Sequence, residues 1–297
     1  MSKLFEVKEL DKKVYEEELR DFLPGKIIDI HSHSWLDEFM GEDEEEEKRA
    51  VTWTSLVAKD NSIEDLFETY RLMFPDKKVT PLIFSFPSLQ LDLDSGNQYC
   101  SNATQSHPCH ALLVSVPEWS TAEYRSRLLA GNYLGGKVYL NYAPRSIAQN
   151  DIGIFDFIPH HQLSVLDELG AILMLHIPRA ARLKDSDNIR EMLEIADKYP
   201  RIRVIIAHIG RAYCDEDLGD ALEHLQAADS FYYDFSANTN AYVMAELLKS
   251  VGAKRVLFGS DLPILRMRMR RICENGHYVN LVPPGLYGDV SGDKNMR

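Results

Sequence analysis

The sequence predicts an α/β fold, a (β/α)8 TIM barrel in a single domain with a short N-terminal helical extension. Three observations carry that expectation: eight short apolar runs of strand length recur along the chain, segments of helical character separate them, and 297 residues suffice for one such barrel. Hydrophobic residues make up 45% of the chain and charged residues 27%, which excludes collagen-like, low-complexity and wholly disordered classes.

Residues 11–23 place Val14, Leu19, Phe22 and Leu23 among charges, the pattern of a short amphipathic helix stopped by Pro24-Gly25. The helical extension is therefore expected over 1–25 and the barrel over 26–297. The apolar runs fall at 27–31, 79–84, 111–116, 137–140, 171–175, 203–207, 231–235 and 255–258. Helical segments are expected at 121–130, 162–169, 188–198, 218–227 and 241–251. Ser120 and Glu123 have capping-box spacing, and Gly170 sits where a helix would end.

Two long connections interrupt the rhythm. Residues 36–78 contain the acidic run Glu42 to Glu47, then Trp53, Leu56 and Val57, a solvated turn leading into a helix or, alternatively, an acidic lid. Residues 85–110 read as a polar loop on the functional face. The basic run Arg266 to Arg271 suggests the solvated face of a last helix, which near the mouth could steer anionic substrates. The tail beyond Pro283-Pro284-Gly285 is polar and shows no further apolar helix, which leaves dependence on a neighbouring subunit, and so a homo-oligomer, open.

The formal net charge is −13, against a polyanion such as nucleic acid as partner. No apolar run approaches the roughly 20 residues of a membrane span, and the N-terminus lacks the apolar core of a signal peptide, so a cytoplasmic protein with no membrane partner is expected. Cys100, Cys109, Cys214 and Cys273 form no Cys-x-x-Cys pair and are expected to be free thiols. No glycine-rich nucleotide loop is present.

His31 and His33 lie one residue apart at the end of the first run, so strand alternation puts them on one face together with Asp29. In a barrel that face is the interior, where two imidazoles can hold one divalent metal. The runs at 171–175 and 203–207 each end in a histidine, His176 and His208, and the last run leads through Gly259-Ser260 to Asp261. All five side chains would converge at the C-terminal mouth, where barrel enzymes keep their active sites. Packed together without a charge partner they would cost several kcal/mol, and a divalent cation compensates them.

These motifs resemble the amidohydrolase superfamily, in its amidohydrolase family 2 branch: His31-Ser32-His33 on strand one, His176 on strand five, His208 on strand six and Asp261 on strand eight. The resemblance implies a (β/α)8 hydrolase acting on a small molecule. The matches to His31, His33, His176 and Asp261 ligate metal, and His208 polarises the substrate or ligates a second metal. The cofactor is expected to be Zn2+, with Mn2+ or Fe2+ as alternatives, in one or two ions. Lys137 occupies the strand-four position where some branches carry a carbamylated lysine bridging two metals. Unmodified, it could instead hold a substrate anion or oxyanion as a buried cation.

Metal-activated water would then attack an amide, lactone or ester carbonyl, with Asp261 carrying the proton and His208 stabilising the oxyanion. Alternation points Tyr139 inward beside Lys137. Arg179 and Arg211, each three residues beyond a motif histidine, could bind a substrate carboxylate or be surface arginines beside acidic neighbours. Asn141, Tyr142 and Asn238 are further rim candidates, His160 and His161 are expected to be structural, and His107, His110, His224 and His277 lack a partner pattern. The same ligands would serve a non-oxidative decarboxylase, which the branch includes, and a non-catalytic metabolite-binding barrel is the third expectation.

Overall fold

The computed structural model describes residues 4–41, 57–284 and 295–297. Strand β1 (Lys26–His33) pairs in parallel with β2 (Lys78–Phe84), and β2 with β3 (His110–Ala111). A second parallel sheet runs β4 (Leu113–Val114), β5 (Gly135–Val138), β6 (Ile172–Leu175), β7 (Arg203–Ile206), β8 (Phe231–Asp234) and β9 (Val256–Leu257). Leu112 joins the two sheets, its N–H donating to the Ile83 carbonyl at 2.9 Å, so β3 and β4 act as one interrupted strand. On the other side the Ile30 N–H donates to Phe258 O at 2.9 Å and the Asp261 N–H to His31 O at 2.8 Å. Every expected apolar run lies on one of these strands, in chain order around the ring.

Inside the ring Leu82, Phe84, Leu112, Val114, Met174 and Ile205 form one buried cluster. A larger one, including Leu166, Leu173, Ile195, Val204 and Phe231, fills the layer between strands and helices. The helices are α1 (Glu9–Val14), α2 (Ile63–Met73), α3 (Leu93–Ser106), α4 (Thr121–Ala130), α5 (His160–Leu169), α6 (Ser186–Lys198), α7 (Ala221–Leu225) and α8 (Ala241–Val251). The Glu123 N–H reaches the Ser120 hydroxyl at 3.2 Å, and Gly170 closes α5 at a left-handed φ of 59°, as the cap signals imply. α1 is shorter than expected and continues as a wider, π-type turn over Tyr15–Leu19.

Other expectations are corrected. The segment 85–110 is not a polar loop, because 93–106 is helical. Buried Asn97 accepts from Val114 N at 3.0 Å and donates to Val114 O at 2.9 Å, so its polarity serves a strand edge. The helix expected at 218–227 shrinks to α7. The basic run 266–271 is no helix: after a 3-10 turn (Ile264–Met267), β10 (Arg270–Glu274) pairs antiparallel with β11 (His277–Leu281). Asn275 and Gly276, at φ 52° and 75°, make the two-residue turn that such hairpins favour.

Cys214 and Cys273 are disulfide-bonded with Cα atoms 5.7 Å apart, contrary to the free-thiol expectation, whereas Cys100 and Cys109 are free and buried. The acidic run 42–47, Trp53 and Leu56 lie outside the described residues. Residues 295–297 return to β11, the Asn280 N–H donating to Asn295 O at 2.8 Å. Among the described residues no helix is long and apolar enough to cross a membrane.

Candidate metal centre

The register of β1 shifts between Asp29 and Ser32, and this irregularity separates residues that simple alternation would place together. Asp29 turns to the junction of the first and last strands. Its carboxylate accepts from Ser260 N at 3.0 Å, from Tyr70 Oη at 2.7 Å and from the Ser260 hydroxyl. His31 and His33 face the interior, where His31 is fully buried. Gly259 permits that packing, since a Cβ there would meet the His31 Cβ at 2.9 Å.

The His31 Nδ1–H donates to Asp234 Oδ2 at 3.0 Å, which leaves the lone pair on Nε2. That Nε2 is buried without a hydrogen-bond partner. His208 follows β7 in a run of four left-handed residues, His208 to Arg211, at φ 53–60°. Such backbone is costly for residues other than glycine and concentrates at functional sites. The Ser236 hydroxyl is committed to Asp234, so the His208 Nδ1–H donates to the Ser236 carbonyl at 2.9 Å and its Nε2 also carries a lone pair. That nitrogen lies 3.0 Å from His176 Nε2, and His176 stacks on Tyr139 at 4.3 Å between ring centroids.

Asp261, also left-handed at φ 57°, brings Oδ1 to 3.4 Å from His33 Nε2 and 3.5 Å from His31 Nε2. Two triads sharing His31, namely His31-His176-His208 and His31-His33-Asp261, thus form, and within each triad the donor atoms lie within 4.8 Å of one another.

Burial lowers the His31 pKa to about 4, with the Lys137 charge acting in the same direction. Burial likewise depresses His176, well below its ordinary value, and His208. Burial works to raise the Asp261 pKa, but the hydrogen bond from His33 and the neighbouring imidazoles hold it down to about 2. Asp234 is held well below the carboxylate range in the same way, by His31 above all. Lys137 is fully buried, with Nζ 4.8 Å above the rings of both Phe84 and Tyr139 and no hydrogen-bond partner. Burial lowers its pKa to about 7 against the pull of Asp234 and Asp261. Neutral imidazoles beside two buried carboxylates make a donor set that calls for a cation, and the unpartnered His31 nitrogen fits a metal ligand.

Above the cluster a pocket is lined by His33, His176, His208, Asp261, Tyr139 and Arg211, and by Trp35, Phe86, Tyr213, Arg271 and Tyr278. Of the two expected substrate arginines, Arg211 lines it and Arg179 does not. Arg179 sits 3.3 Å from Asp187 and 3.8 Å from Asp185 at the start of α6, and donates to the Asn150 carbonyl. Asn141, Tyr142 and Asn238 bond the backbone carbonyls of Pro87, Ser88 and Ala212.

Sequence reasoning missed Asp234, although a lone carboxylate within Phe231 to Phe235 was a usable signal. It also missed the walls formed by Trp35, Phe86, Tyr213 and Tyr278, and it took Arg271 only as part of a basic run that could steer anions near the mouth, whereas a hairpin reading of Asn275-Gly276 could have placed it on the wall.

The amidohydrolase family model Amidohydro_2 matches residues 108–271, more than half of the chain. The chain belongs to the amidohydrolase family. Among solved structures, this amidohydrolase resembles a probable 2-pyrone-4,6-dicarboxylic acid hydrolase from Acinetobacter baumannii, with 16% identity and a TM-score of 0.54 over 80% of this chain and 84% of that one. It also resembles amidohydrolase 2 from Bifidobacterium longum subsp. infantis, at 16% identity and TM-score 0.55 over 82% and 86% of the two chains. A dihydroxybenzoic acid decarboxylase from Polaromonas sp. JS666, with bound manganese, is similar at 14% identity and TM-score 0.54 over 81% and 87%. At these identities the likeness is one of fold. No curated protein matches the chain.

Proposed function

We propose that this amidohydrolase is a metal-dependent hydrolase of a small molecule carrying an amide, lactone or ester carbonyl. The observation that carries the reading is the buried, unpartnered His31 Nε2 among His33, His176, His208 and Asp261. These five residues would hold the ion. Zn2+, Mn2+ and Fe2+ all suit imidazole and carboxylate donors. When bound, a divalent ion acidifies water and polarises a carbonyl oxygen.

The protein's own groups divide the remaining work. Asp261, ionised at neutral pH, takes a proton on its carboxylate and returns it to the leaving group. His208, with Nδ1–H committed to the Ser236 carbonyl, offers a lone pair and no donor, so we assign it to the ligand set rather than to an oxyanion. Tyr139, whose phenol burial keeps protonated, can donate to the substrate, and Arg211 can hold a substrate carboxylate. Lys137 lies beneath the pocket wall and would join the ligands only as its carbamate.

Elemental analysis of the purified protein for Zn, Mn, Fe and Ni, beside a His31→Ala/His33→Ala double variant, tests the reading. Near-stoichiometric metal that the variant loses is the expected result, one ion per chain favouring an unmodified Lys137 and two a carbamate bridge. Absence of metal after reconstitution would overturn it and favour a non-catalytic metabolite-binding barrel.

Decarboxylation is the second reading, favoured by the same ligand cluster beneath an arginine-bearing pocket. Assays of CO2 release from aromatic acids, run beside lactone, ester and amide hydrolysis, separate the two. Both activities should vanish in Asp261→Asn.

A further inference from the structure

The β10–β11 hairpin brings an arginine to the pocket that neither strand periodicity nor the motif histidines account for. Tyr213 and Tyr278 pack edge to face, 4.9 Å between centroids, and two guanidinium groups lie over their rings. Arg182 stands 5.5 and 5.0 Å from the two centroids, Arg271 at 4.2 and 4.7 Å.

The two arginines differ in their charge partners. Arg182 is ion-paired with buried Asp217. Arg271 has only neutral acceptors: Nε donates to Asn280 Oδ1 at 2.8 Å and Nη1 to the Ala237 carbonyl. Among the described residues no carboxylate comes within 4.0 Å of it, and Nη2 carries no hydrogen bond. In a chain of net charge −13, a half-buried guanidinium on a pocket wall without a carboxylate is an anion seat awaiting its ligand. Pinned on two edges and between two rings, the group is already oriented, so little entropy is lost when a carboxylate docks. Trp35, stacked on Phe86 at 4.9 Å, adds a flat aromatic surface to the same pocket.

We propose that Arg271 is a specificity-determining residue, seating the carboxylate of an aromatic or conjugated acid whose planar body lies against the pocket's aromatic walls. Arg271 hydrogen-bonds to Asn280 and Ala237 and to none of the candidate metal ligands, so the proposal assigns it a binding carboxylate and not the reacting group. This inference rests on the proposed reading of the site as one for small molecules, but not on the metal.

Ligand-observed NMR titration with benzoate and its neutral isostere benzamide tests it, on the protein as purified and after dialysis against a chelator. The wild type should prefer benzoate by roughly 10- to 100-fold, the range of a charge-assisted hydrogen-bonded pair. Arg271→Gln should lose most of that preference while its benzamide affinity, which reports pocket integrity, stays unchanged. Arg271→Lys should recover part of the preference, and it decides the matter if the glutamine variant loses both ligands. Three results would overturn the proposal: no preference in the wild type, full preference in Arg271→Gln, or a preference that disappears on chelation and so places the carboxylate at the ligand cluster. Metal content, measured on the same samples, reports separately on the hydrolase reading.

Discussion

At the residue scale, the candidate centre depends on where a few protons sit. Asp234 takes one hydrogen bond on Oδ2 from His31 and three on Oδ1, from the backbone of His208 and from Ser236 N and Oγ. In Asp234→Asn the amide oxygen can keep the three bonds on that side, but the amide nitrogen would face His31 Nδ1 as a donor. His31 would then carry its proton on Nε2 and lose the lone pair aimed at the cluster. The expected result is metal affinity reduced roughly 10- to 100-fold with the fold retained, the usual effect of removing a ligand's orienting carboxylate, measured by chelator competition and circular dichroism. Asp234 is therefore a positioning residue. Its pairing with His31 spans 203 residues, so the lone carboxylate in Phe231 to Phe235 marks the residue but cannot name its partner.

At the element scale, the hairpin after the last barrel strand replaces the helix expected there. Its turn residues and the alternation of Arg271 and Cys273 favour paired strands, whereas the density of arginines alone suggested a helix face. The Cys214–Cys273 bond ties this hairpin to the loop that carries Tyr213, across 59 residues of chain. Loop-closure entropy for a ring of that size is worth at most roughly 4 kcal/mol. A Cys214→Ser/Cys273→Ser variant should therefore melt at a lower temperature than wild type. It should also be cut faster by proteases near the exposed Asn275-Gly276 turn, a measurement that distinguishes a loosened hairpin from global destabilisation.

At the scale of the whole molecule, the candidate ligands come from the first, fifth, sixth and eighth strands of the ring. Any ion they share binds the assembled barrel and not the separated strands, so metal binding is coupled to folding. Free metal at about 100 times its Kd should add about 2.7 kcal/mol of stability. Thermal unfolding of metal-loaded protein should thus occur above that of the chelated protein, and the gap should close in His31→Ala/His33→Ala. Equal melting temperatures in all three samples would contradict a shared site.

The sequence by itself determined the strand order and the polar residues that end the strands, because burial imposes apolar runs whose length and alternation are local properties. It also held the family resemblance, carried by His31, His33, His176, His208 and Asp261. Only the tertiary structure decided that Asp29 leaves the cluster, that Asp234 joins it, that Arg211 reaches the pocket while Arg179 is spent on Asp185 and Asp187, and that Cys214 meets Cys273. Hydrogen bonds, ion pairs and disulfides depend on which atoms come within a few ångströms, and that proximity belongs to the folded ring rather than to any window of the chain.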